Sequence, residues 1–174
     1  MQRAETLGGR MLQVNHAGEH GAINIYAGQI VAARWRHRAL LPELRAFKAH
    51  EERHRGIFRD ALQRRGLPRC RSYWLCAAGG MALGLGTGLL GRHAIAITTA
   101  AVERVVLRHL HDQLRVLAGS DPEASAAIRS VIEDEQQHHD QAAAQVDEAS
   151  LLARWLGALV AAATESVIWL GMRA

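Results

Sequence analysis

The sequence predicts a nearly all-α protein: a four-helix bundle with two additional apolar helices, in a single domain that spans residues 1–174. Composition is the first reason, because 49% of the residues are hydrophobic, only three are proline and 5% are aromatic. Chains rich in Ala and Leu and poor in aromatic residues and Thr favour helices over strands. A repeated pattern of Glu and His is the second reason. The length favours one domain over two.

The repeat consists of two Glu-x-x-His pairs, each of which follows a lone glutamate by the same distance. Glu51 lies 32 positions after Glu19, and Glu135 lies 32 positions after Glu103. One shift of 84 positions therefore relates the two halves, whereas a single Glu-x-x-His pair would be weak evidence. The six predicted metal ligands are Glu19, Glu51, His54, Glu103, Glu135 and His138.

These ligand types indicate a carboxylate-bridged pair of metal ions. A carboxylate and an imidazole three residues apart project from one face of a helix and can meet the same ion. Two such pairs and two single glutamates are the side-chain set of di-iron and di-manganese sites in four-helix bundles. Oxygen-rich ligation with one imidazole per metal suits iron or manganese better than tetrahedral zinc. Glu51 and Glu135 are expected to bridge the ions, with Glu19 and Glu103 terminal.

The first half of the chain predicts two long helices, at residues 6–38 and 42–65. Pro42 suits the first turn of the second helix, where its missing N–H does no harm, and Gly66 is expected to end that helix. The first Glu-x-x-His pair interrupts an otherwise apolar stripe of the second helix. A buried carboxylate and imidazole must be paired or ligated, because an uncompensated buried charge is very costly.

The second half predicts helices at residues 92–117 and 122–148, and each again carries ligands on an apolar face. Between them, Gly119 is a helix-ending residue, Asp121 is the expected N-cap and Pro122 suits the first helical position. These stop and start signals separate the two helices clearly.

Two further helices are predicted from apolar segments, at residues 74–90 and 150–172. Residues 74–91 form an uncharged run of 18 residues with six glycines, and glycine lowers helix propensity. We expect an interfacial or partly inserted segment there, with a buried core helix as the alternative. The last helix contains Arg154 and Glu165, which argue against a lone bilayer span and favour packing beside the glycine-rich segment.

The charge of the chain favours contact with an anionic membrane surface. The chain has 20 arginines and one lysine, a formal charge of +4 and a pI near 9.8. Such a balance suits anionic lipid or nucleic acid, although it also fits a general bias toward arginine. The sequence contains no basic run with interleaved aromatic residues, so membrane lipid, and not nucleic acid, is the expected partner.

Cysteine usage and the opening residues indicate a reducing compartment. Cys70 and Cys76 are separated by five residues, have no second pair and do not match zinc-site spacing, so two unreactive thiols are expected. Residues 1–10 do not resemble a signal peptide, and no extended transit peptide is recognised. The expectation is a bacterial-type or already mature chain in a reducing setting.

The remaining histidines are expected to have minor roles. A hydrogen bond to a ligand carboxylate is plausible for His109, six residues past a predicted ligand, and less so for His16. Surface positions are expected for the other histidines: His20, His37, His50, His93, His111 and His139.

Several short motifs, spread from about residue 12 to residue 172, carry a family resemblance. The most specific is HAGEHGA at residues 16–22. The others are YAGQ at 26–29, EERH at 51–54, the glycine-rich run at 82–91, AVE at 101–103 and EQQHHD at 135–140. With these motifs the sequence resembles the demethoxyubiquinone hydroxylase family.

The resemblance implies a ferritin-like bundle that binds two iron ions. It implies an enzyme that uses dioxygen, and reducing equivalents derived from NADH, to hydroxylate the ring of a demethoxylated polyprenyl benzoquinol in ubiquinone synthesis. The family's ligands correspond to the six residues that the repeat selects, and no further catalytic residue or organic cofactor site is expected. The resemblance also implies peripheral attachment, here at the cytoplasmic face of a bacterial inner membrane, with a homo-oligomer or other ubiquinone-biosynthesis proteins as possible partners.

Three positions depart from the family pattern. Family members often have tyrosine where this chain has Leu110, and aspartate and tyrosine where it has Asn15 and His20. None of these is a predicted metal ligand. The departures put in doubt an electron-transfer role built on the missing tyrosine.

Two other functions share part of the pattern. A ferritin-type iron-oxidising or storage protein would use the same ligands but would not need lipid-facing segments. A non-catalytic helical protein of the membrane surface would use the acidic and histidine residues only structurally. Metal content and product analysis distinguish the three.

Overall fold

A computed structural model describes residues 6–173, and within that range the chain is helical, without a β-strand. The helices are α1 (Leu7–Arg36), α2 (Leu41–Arg65), α3 (Tyr73–Leu90), α4 (Arg92–Val116), α5 (Pro122–Arg129), α6 (Ile132–Ala143) and α7 (Leu151–Arg173). A short 3₁₀ turn, Arg38–Leu40, joins α1 to α2. The all-α prediction is confirmed. Helices α1, α2, α4 and the α5–α6 pair form the four-helix, ferritin-like bundle, with α3 and α7 as the two additional apolar helices.

The turns that shape the bundle follow the local signals in the sequence. Gly66 adopts φ 64°, a left-handed conformation open to glycine, and ends α2. Asp121 caps α5, because its side chain accepts a hydrogen bond from the backbone N–H of Ala124 at 3.0 Å, and Pro122 occupies the first turn. These three assignments agree with the sequence prediction.

The helix predicted at residues 122–148 is divided into two and is shorter than expected. The Oγ atom of Ser130 donates to the carbonyl of Ala127 at 2.8 Å, which competes with the helical backbone pattern where α5 gives way to α6. Helix α6 then ends at Ala143, and residues up to Ser150 form turns. The break leaves α6 as a separate twelve-residue helix that carries the second ligand pair.

The glycine-rich segment forms a complete helix, α3, which packs tightly on α1. A Cβ atom added at Gly84 would lie 2.0 Å from the carbonyl oxygen of Ile25, and one added at Gly80 would lie 2.3 Å from that of Gly21. Glycine therefore allows the two backbones to approach, and this contact compensates its low helix propensity. Since the matched positions increase together along both helices, α1 and α3 run parallel.

The outer faces of α3 and α7 are strongly apolar and exposed. By length and composition, both helices could cross a membrane. Very little of α7 is buried in the protein, whereas one face of α3 packs on α1. The alternative prediction, a buried core helix, therefore holds for the face of α3 that packs on α1 but not for its exposed face. The exposed large apolar side chains of the two helices are Trp74, Leu75, Leu85, Leu89, Leu90, Leu151, Leu152, Trp155, Leu159, Trp169 and Leu170.

Two apolar clusters fill the bundle on either side of the ligand layer. One contains Leu12, Phe58 and Leu62, and the other contains Tyr26 and Phe47. Because the ligand pair of α2 lies between Phe47 and Phe58 along that helix, the polar layer is enclosed by apolar packing at both ends. This enclosure makes the ligands buried.

Candidate metal centre

The structure brings all six predicted ligands together in the middle of the bundle. Helix α1 contributes one glutamate, α4 contributes another, and α2 and α6 each contribute a Glu-x-x-His pair. All six side chains are buried, at most 5% exposed. Buried acidic and imidazole groups in such number require one another or a metal.

The six residues form two overlapping groups, each with ligand atoms within 4.8 Å of one another. One group consists of Glu19, Glu51, His54 and Glu135, and the other of Glu51, Glu103, Glu135 and His138. Glu51 and Glu135 belong to both groups. This arrangement supports the expectation that these two glutamates bridge a pair of ions.

The Glu-x-x-His pairs of the two halves interlock. The Nδ1 atom of His54 lies 2.8 Å from Oε1 of Glu135 and 3.7 Å from Oε2 of Glu51. The Nδ1 atom of His138 lies 3.1 Å from Oε1 of Glu51 and 3.6 Å from Oε2 of Glu135. Each histidine thus approaches the glutamate of the other half more closely than the glutamate of its own pair.

Glu19, Glu51 and Glu103 have pKa values that are shifted in opposite directions. Burial, together with the charges of Glu135 and Glu51, raises the pKa of both Glu19 and Glu103 well above the ordinary value. Burial also acts to raise the pKa of Glu51, but its contacts with His138 and His54 outweigh that effect and lower the pKa to about 2. In the metal-free site the carboxyl groups of Glu19 and Glu103 are therefore protonated more readily than that of Glu51.

The two histidines hold protons in the metal-free site. Burial acts to lower the pKa of His54, but contacts with Glu135 and Glu51 outweigh it and raise the pKa to about 10. Burial likewise acts to lower the pKa of His138, but its contacts with Glu135 and Glu51 outweigh this effect and raise the pKa to about 9. The Nδ1 atoms that carry these protons are the atoms that would bind metal, so metal binding would release the protons.

The donor atoms fit a pair of divalent ions. The inward Nδ1 atoms of His54 and His138 are buried and make no hydrogen bond of acceptable geometry, although carboxylate oxygens are close. The same holds for Oε1 of Glu51 and for both oxygens of Glu135. Buried donor and acceptor atoms without partners are rare in folded proteins, and oxygen-rich ligation with one imidazole per ion suits iron or manganese.

Two polar residues outside the six contact the outer nitrogens of the ligand histidines, and the sequence prediction missed both. The Nε2 atom of His54 lies 3.0 Å from Oδ2 of Asp134, and Nε2 of His138 lies 2.9 Å from Nδ1 of His50. His50 was expected at the surface, but it is only half-exposed and packs against His138. The missed signal is positional, because each of the two residues directly precedes a ligand glutamate.

The other histidines differ from expectation in part. His109 hydrogen-bonds through Nε2 to Glu165 of α7 at 2.9 Å, and not through that atom to a ligand carboxylate. His16 is buried and stacks on Tyr73 with 5.0 Å between ring centroids; burial and nearby arginines lower its pKa to about 4. His20, expected at the surface, also stacks on Tyr73, at 4.1 Å.

A cavity of about 430 Å³ connects the candidate centre to the space between α3 and α7. The carboxylates of Glu19, Glu51, Glu103 and Glu135 line it, and most of its other walls are apolar. Examples of the apolar residues are Ile25, Leu83, Val102, Leu159, Val160 and Ile168. A mostly apolar cavity that ends at convergent polar groups is the usual form of a small-molecule site.

Comparison with known proteins identifies the family that the chain resembles. A family model described as "Ubiquinone biosynthesis protein COQ7" matches residues 6–171. A relative from Dictyostelium discoideum, "NADPH-dependent 3-demethoxyubiquinone 3-hydroxylase, mitochondrial", is 34% identical over 94% of this chain and 76% of its own length. The "3-demethoxyubiquinol 3-hydroxylase" of Rhodospirillum rubrum is 38% identical over 75% of this chain.

A mouse protein with the same name as the Dictyostelium relative is 33% identical over 75% of this chain. The matches cover 61% of the mouse relative and 61% of the Rhodospirillum relative. The chain thus spans about three fifths of the length of these two proteins.

Proposed function

This chain belongs to the family of ubiquinone biosynthesis protein COQ7, and on that premise we propose that it hydroxylates the ring of a demethoxylated polyprenyl benzoquinol at a di-iron centre with dioxygen. The observation that carries the proposal is the position of the two overlapping ligand groups at the end of an apolar cavity. A ring bound in that cavity would lie beside the carboxylates, and so beside the metals that they hold.

The proposed ligands divide between two ions. Glu19 and His54 would hold one, Glu103 and His138 would hold the other, and the two glutamates common to both groups would bridge them. When bound, two ferrous ions would supply electrons for the reduction of dioxygen. The protein's own task is to keep the six donor atoms in place and to exclude bulk water, and their burial in the bundle serves both.

The cavity supports a flat, mostly apolar substrate. Its volume of about 430 Å³ lies within the range of about 300–1,000 Å³ typical of small-molecule sites. The apolar walls would favour a quinol ring and the first part of its isoprenoid chain by the hydrophobic effect. The remaining chain would leave the protein between α3 and α7, because residues of both helices line the cavity.

The exposed faces of α3 and α7 support peripheral association with a membrane. Trp74 near the start of α3 and Trp169 near the end of α7 lie at the same end of these helices, because Gly171 packs against Ser72. Arg173 stacks over Trp169 at 3.9 Å, an arrangement suited to a lipid interface. A substrate with a polyprenyl tail could then remain in lipid during the reaction, and the proposed location is the cytoplasmic face of a bacterial inner membrane.

The proposed electron source is a reduced nicotinamide dinucleotide. The sequence resemblance implies NADH, whereas the mouse and Dictyostelium relatives are named as NADPH-dependent enzymes. An assay with the two dinucleotides side by side decides which of them serves this chain.

The test is hydroxylation by the iron-loaded protein. We expect the chain, loaded anaerobically with ferrous iron and then given dioxygen and a demethoxyquinol, to form a product that contains one added oxygen atom by mass spectrometry. Oxygen-18 gas must label that product. Unchanged quinol in the presence of a loaded centre would overturn the proposal, and assembly into a hollow shell that accumulates iron would favour a storage function instead. Gel filtration of the same sample gives the oligomeric state.

A further inference from the structure

The two ligand histidines have chemically different partners on their outer sides. Nε2 of His54 faces a carboxylate, Oδ2 of Asp134, at 3.0 Å, and the same oxygen accepts a hydrogen bond from Nη2 of Arg53 at 2.9 Å. Nε2 of His138 faces an imidazole nitrogen, Nδ1 of His50, at 2.9 Å, and the two rings stack at 5.1 Å between centroids. One outer partner is therefore an acid and the other is an imidazole.

These partners occupy equivalent positions in the duplicated sequence. The shift of 84 residues that relates the ligands also places His50 on Asp134, and each of them directly precedes a ligand glutamate. Each also reaches across the bundle to the histidine of the other half. The two halves have thus kept the position and the crossed contact but not the chemistry of the residue.

The difference between the two outer partners changes how strongly the Nδ1 atoms of His54 and His138 can bind a metal. For Nδ1 to bind a metal, the ring proton must lie on Nε2, which then donates to the outer partner. A carboxylate acceptor draws this proton more strongly than an imidazole does, because the hydrogen bond is charge-assisted, and so makes Nδ1 a better donor to metal. The carboxylate also fixes the ring, and Arg53 holds the carboxylate.

We propose that Asp134 and His50 are positioning residues that make the two metal positions unequal: the position at His54 binds a divalent metal more tightly, and the position at His138 is the weaker. The inference rests on the two-metal site of the proposed function and adds an order of filling to it. The first ion occupies the Asp134 side, and the second completes the pair on the His50 side.

The experiment is an anaerobic titration of the metal-free protein with ferrous iron, followed by Mössbauer spectroscopy with iron-57. For the unmodified chain we expect the titration to show two binding steps. The Mössbauer spectrum should contain two iron signals, and one of them should dominate when one iron ion per chain has been added. Asp134→Asn should weaken the first step by about 10- to 100-fold and leave the second step in place. Asp140→Asn is the matched control, because Asp140 is exposed on the same helix and its carboxylate contacts Gln136 and His139, neither of which is a candidate ligand.

A reciprocal variant tests the other side. His50→Asp gives both histidines a carboxylate partner, so we expect the weaker step to tighten, the two steps to converge and the two iron signals to become more alike. A role of these residues in packing alone would change the unfolding temperature but would not make the two iron signals more alike. The His50→Asp result decides the question on its own should Asp134→Asn fail to fold.

Three outcomes overturn the inference and can be told apart. Two equal binding steps with one iron signal in the unmodified chain would remove the inequality but leave the two-metal function intact. Absence of bound iron would remove the inference together with the proposed function. Equal weakening of both steps in Asp134→Asn would show that the residue stabilises the bundle and not one metal position.

Discussion

His54 of α2 and Glu135 of α6 come from opposite halves of the duplicated sequence, yet Nδ1 of the histidine lies 2.8 Å from Oε1 of the glutamate. The reverse pair, His138 and Glu51, lies at 3.1 Å. This crossed contact joins the two halves through the candidate metal centre. Loss of one member therefore affects both metal positions, and the first prediction follows from this.

Glu135→Ala is expected to abolish the product with one added oxygen, because Glu135 belongs to both ligand groups. Iron per chain, measured after anaerobic loading and desalting, should fall below the value for the unmodified chain. Glu133→Ala is the control, since Glu133 is exposed on the same helix. Full hydroxylation by the Glu135 variant would contradict the ligand assignment.

Access to the centre should depend on the cavity between α3 and α7. Ala163 of α7 lines this cavity and is exposed, so the large side chain of Ala163→Trp should obstruct the cavity and lower hydroxylation several-fold while iron content stays unchanged. The neighbouring Ala162 is also exposed but does not line the cavity, and Ala162→Trp should retain activity. Equal activity of the two variants would show that substrate enters elsewhere.

The glycines of α3 should divide into two classes. Gly84→Ala places a Cβ atom 2.0 Å from the carbonyl of Ile25 and should destabilise the fold by about 1–3 kcal/mol through overpacking. Gly86→Ala meets nothing within 4 Å and should stabilise it by about 0.5–1 kcal/mol, because alanine favours a helix. Urea unfolding followed by circular dichroism measures both changes, and equal effects would refute the close contact of α1 and α3.

Membrane binding should depend on the apolar outer face of α7. Trp155 and Leu159 are one helical turn apart and are 77% and 67% exposed. Burying a large apolar side chain in lipid contributes up to about 1.5–3 kcal/mol, so replacement of both by Ser should weaken vesicle binding at least about tenfold. Co-sedimentation with vesicles that contain anionic lipid measures the effect.

The matched control for membrane binding is Val116→Ser. Val116 is 57% exposed, but it lies at the end of α4 and not on α3 or α7. This variant should bind vesicles like the unmodified chain. Equal loss in the control would indicate general hydrophobic adsorption and not docking through α7.

An acidic pH should remove a specific stabilising contact. Hydrogen bonds from Arg65, at 2.6 and 2.8 Å, lower the pKa of Asp121 below its ordinary value of 3.8, in spite of partial burial. Asp121 therefore stabilises the fold fully above pH 3.8, and its contribution is lost as the pH falls through the lowered folded-state pKa. Asp121→Asn should cost about 1–3 kcal/mol at pH 7 and progressively less at pH values below 3.8.

The control for this pH effect is another aspartate with an arginine partner. Asp112 contacts Arg115, but its side chain is 47% exposed, whereas that of Asp121 is 16% exposed. Asp112→Asn should change the unfolding free energy by less than about 0.5 kcal/mol, because solvent screens exposed ion pairs. Urea unfolding at pH 7 and in the acidic range compares the two variants.

The sequence by itself determined most of the helices and the six candidate ligands, but not the division of the helix predicted at residues 122–148 into α5 and α6. The three-residue spacing from Glu51 to His54 places both side chains on one face of a helix, and the apolar stripe around them predicts that this face points inward. The repeat at 84 residues showed that the second pair, Glu135 and His138, corresponds to the first. Turn signals such as Gly66 and Asp121 are local, so they too could be read from the sequence. The family motifs added the expected reaction, which the fold alone does not carry.

Only the tertiary structure decided which residues meet across the bundle. The contacts of His54 with Asp134 and of His138 with His50 join positions 80 or more residues apart, so no local pattern revealed them. The close packing of Gly84 on α1 and the cavity beneath α7 likewise depend on which helices are neighbours. Spacing along a helix determines the direction of a side chain, but its partner depends on how separate helices pack together.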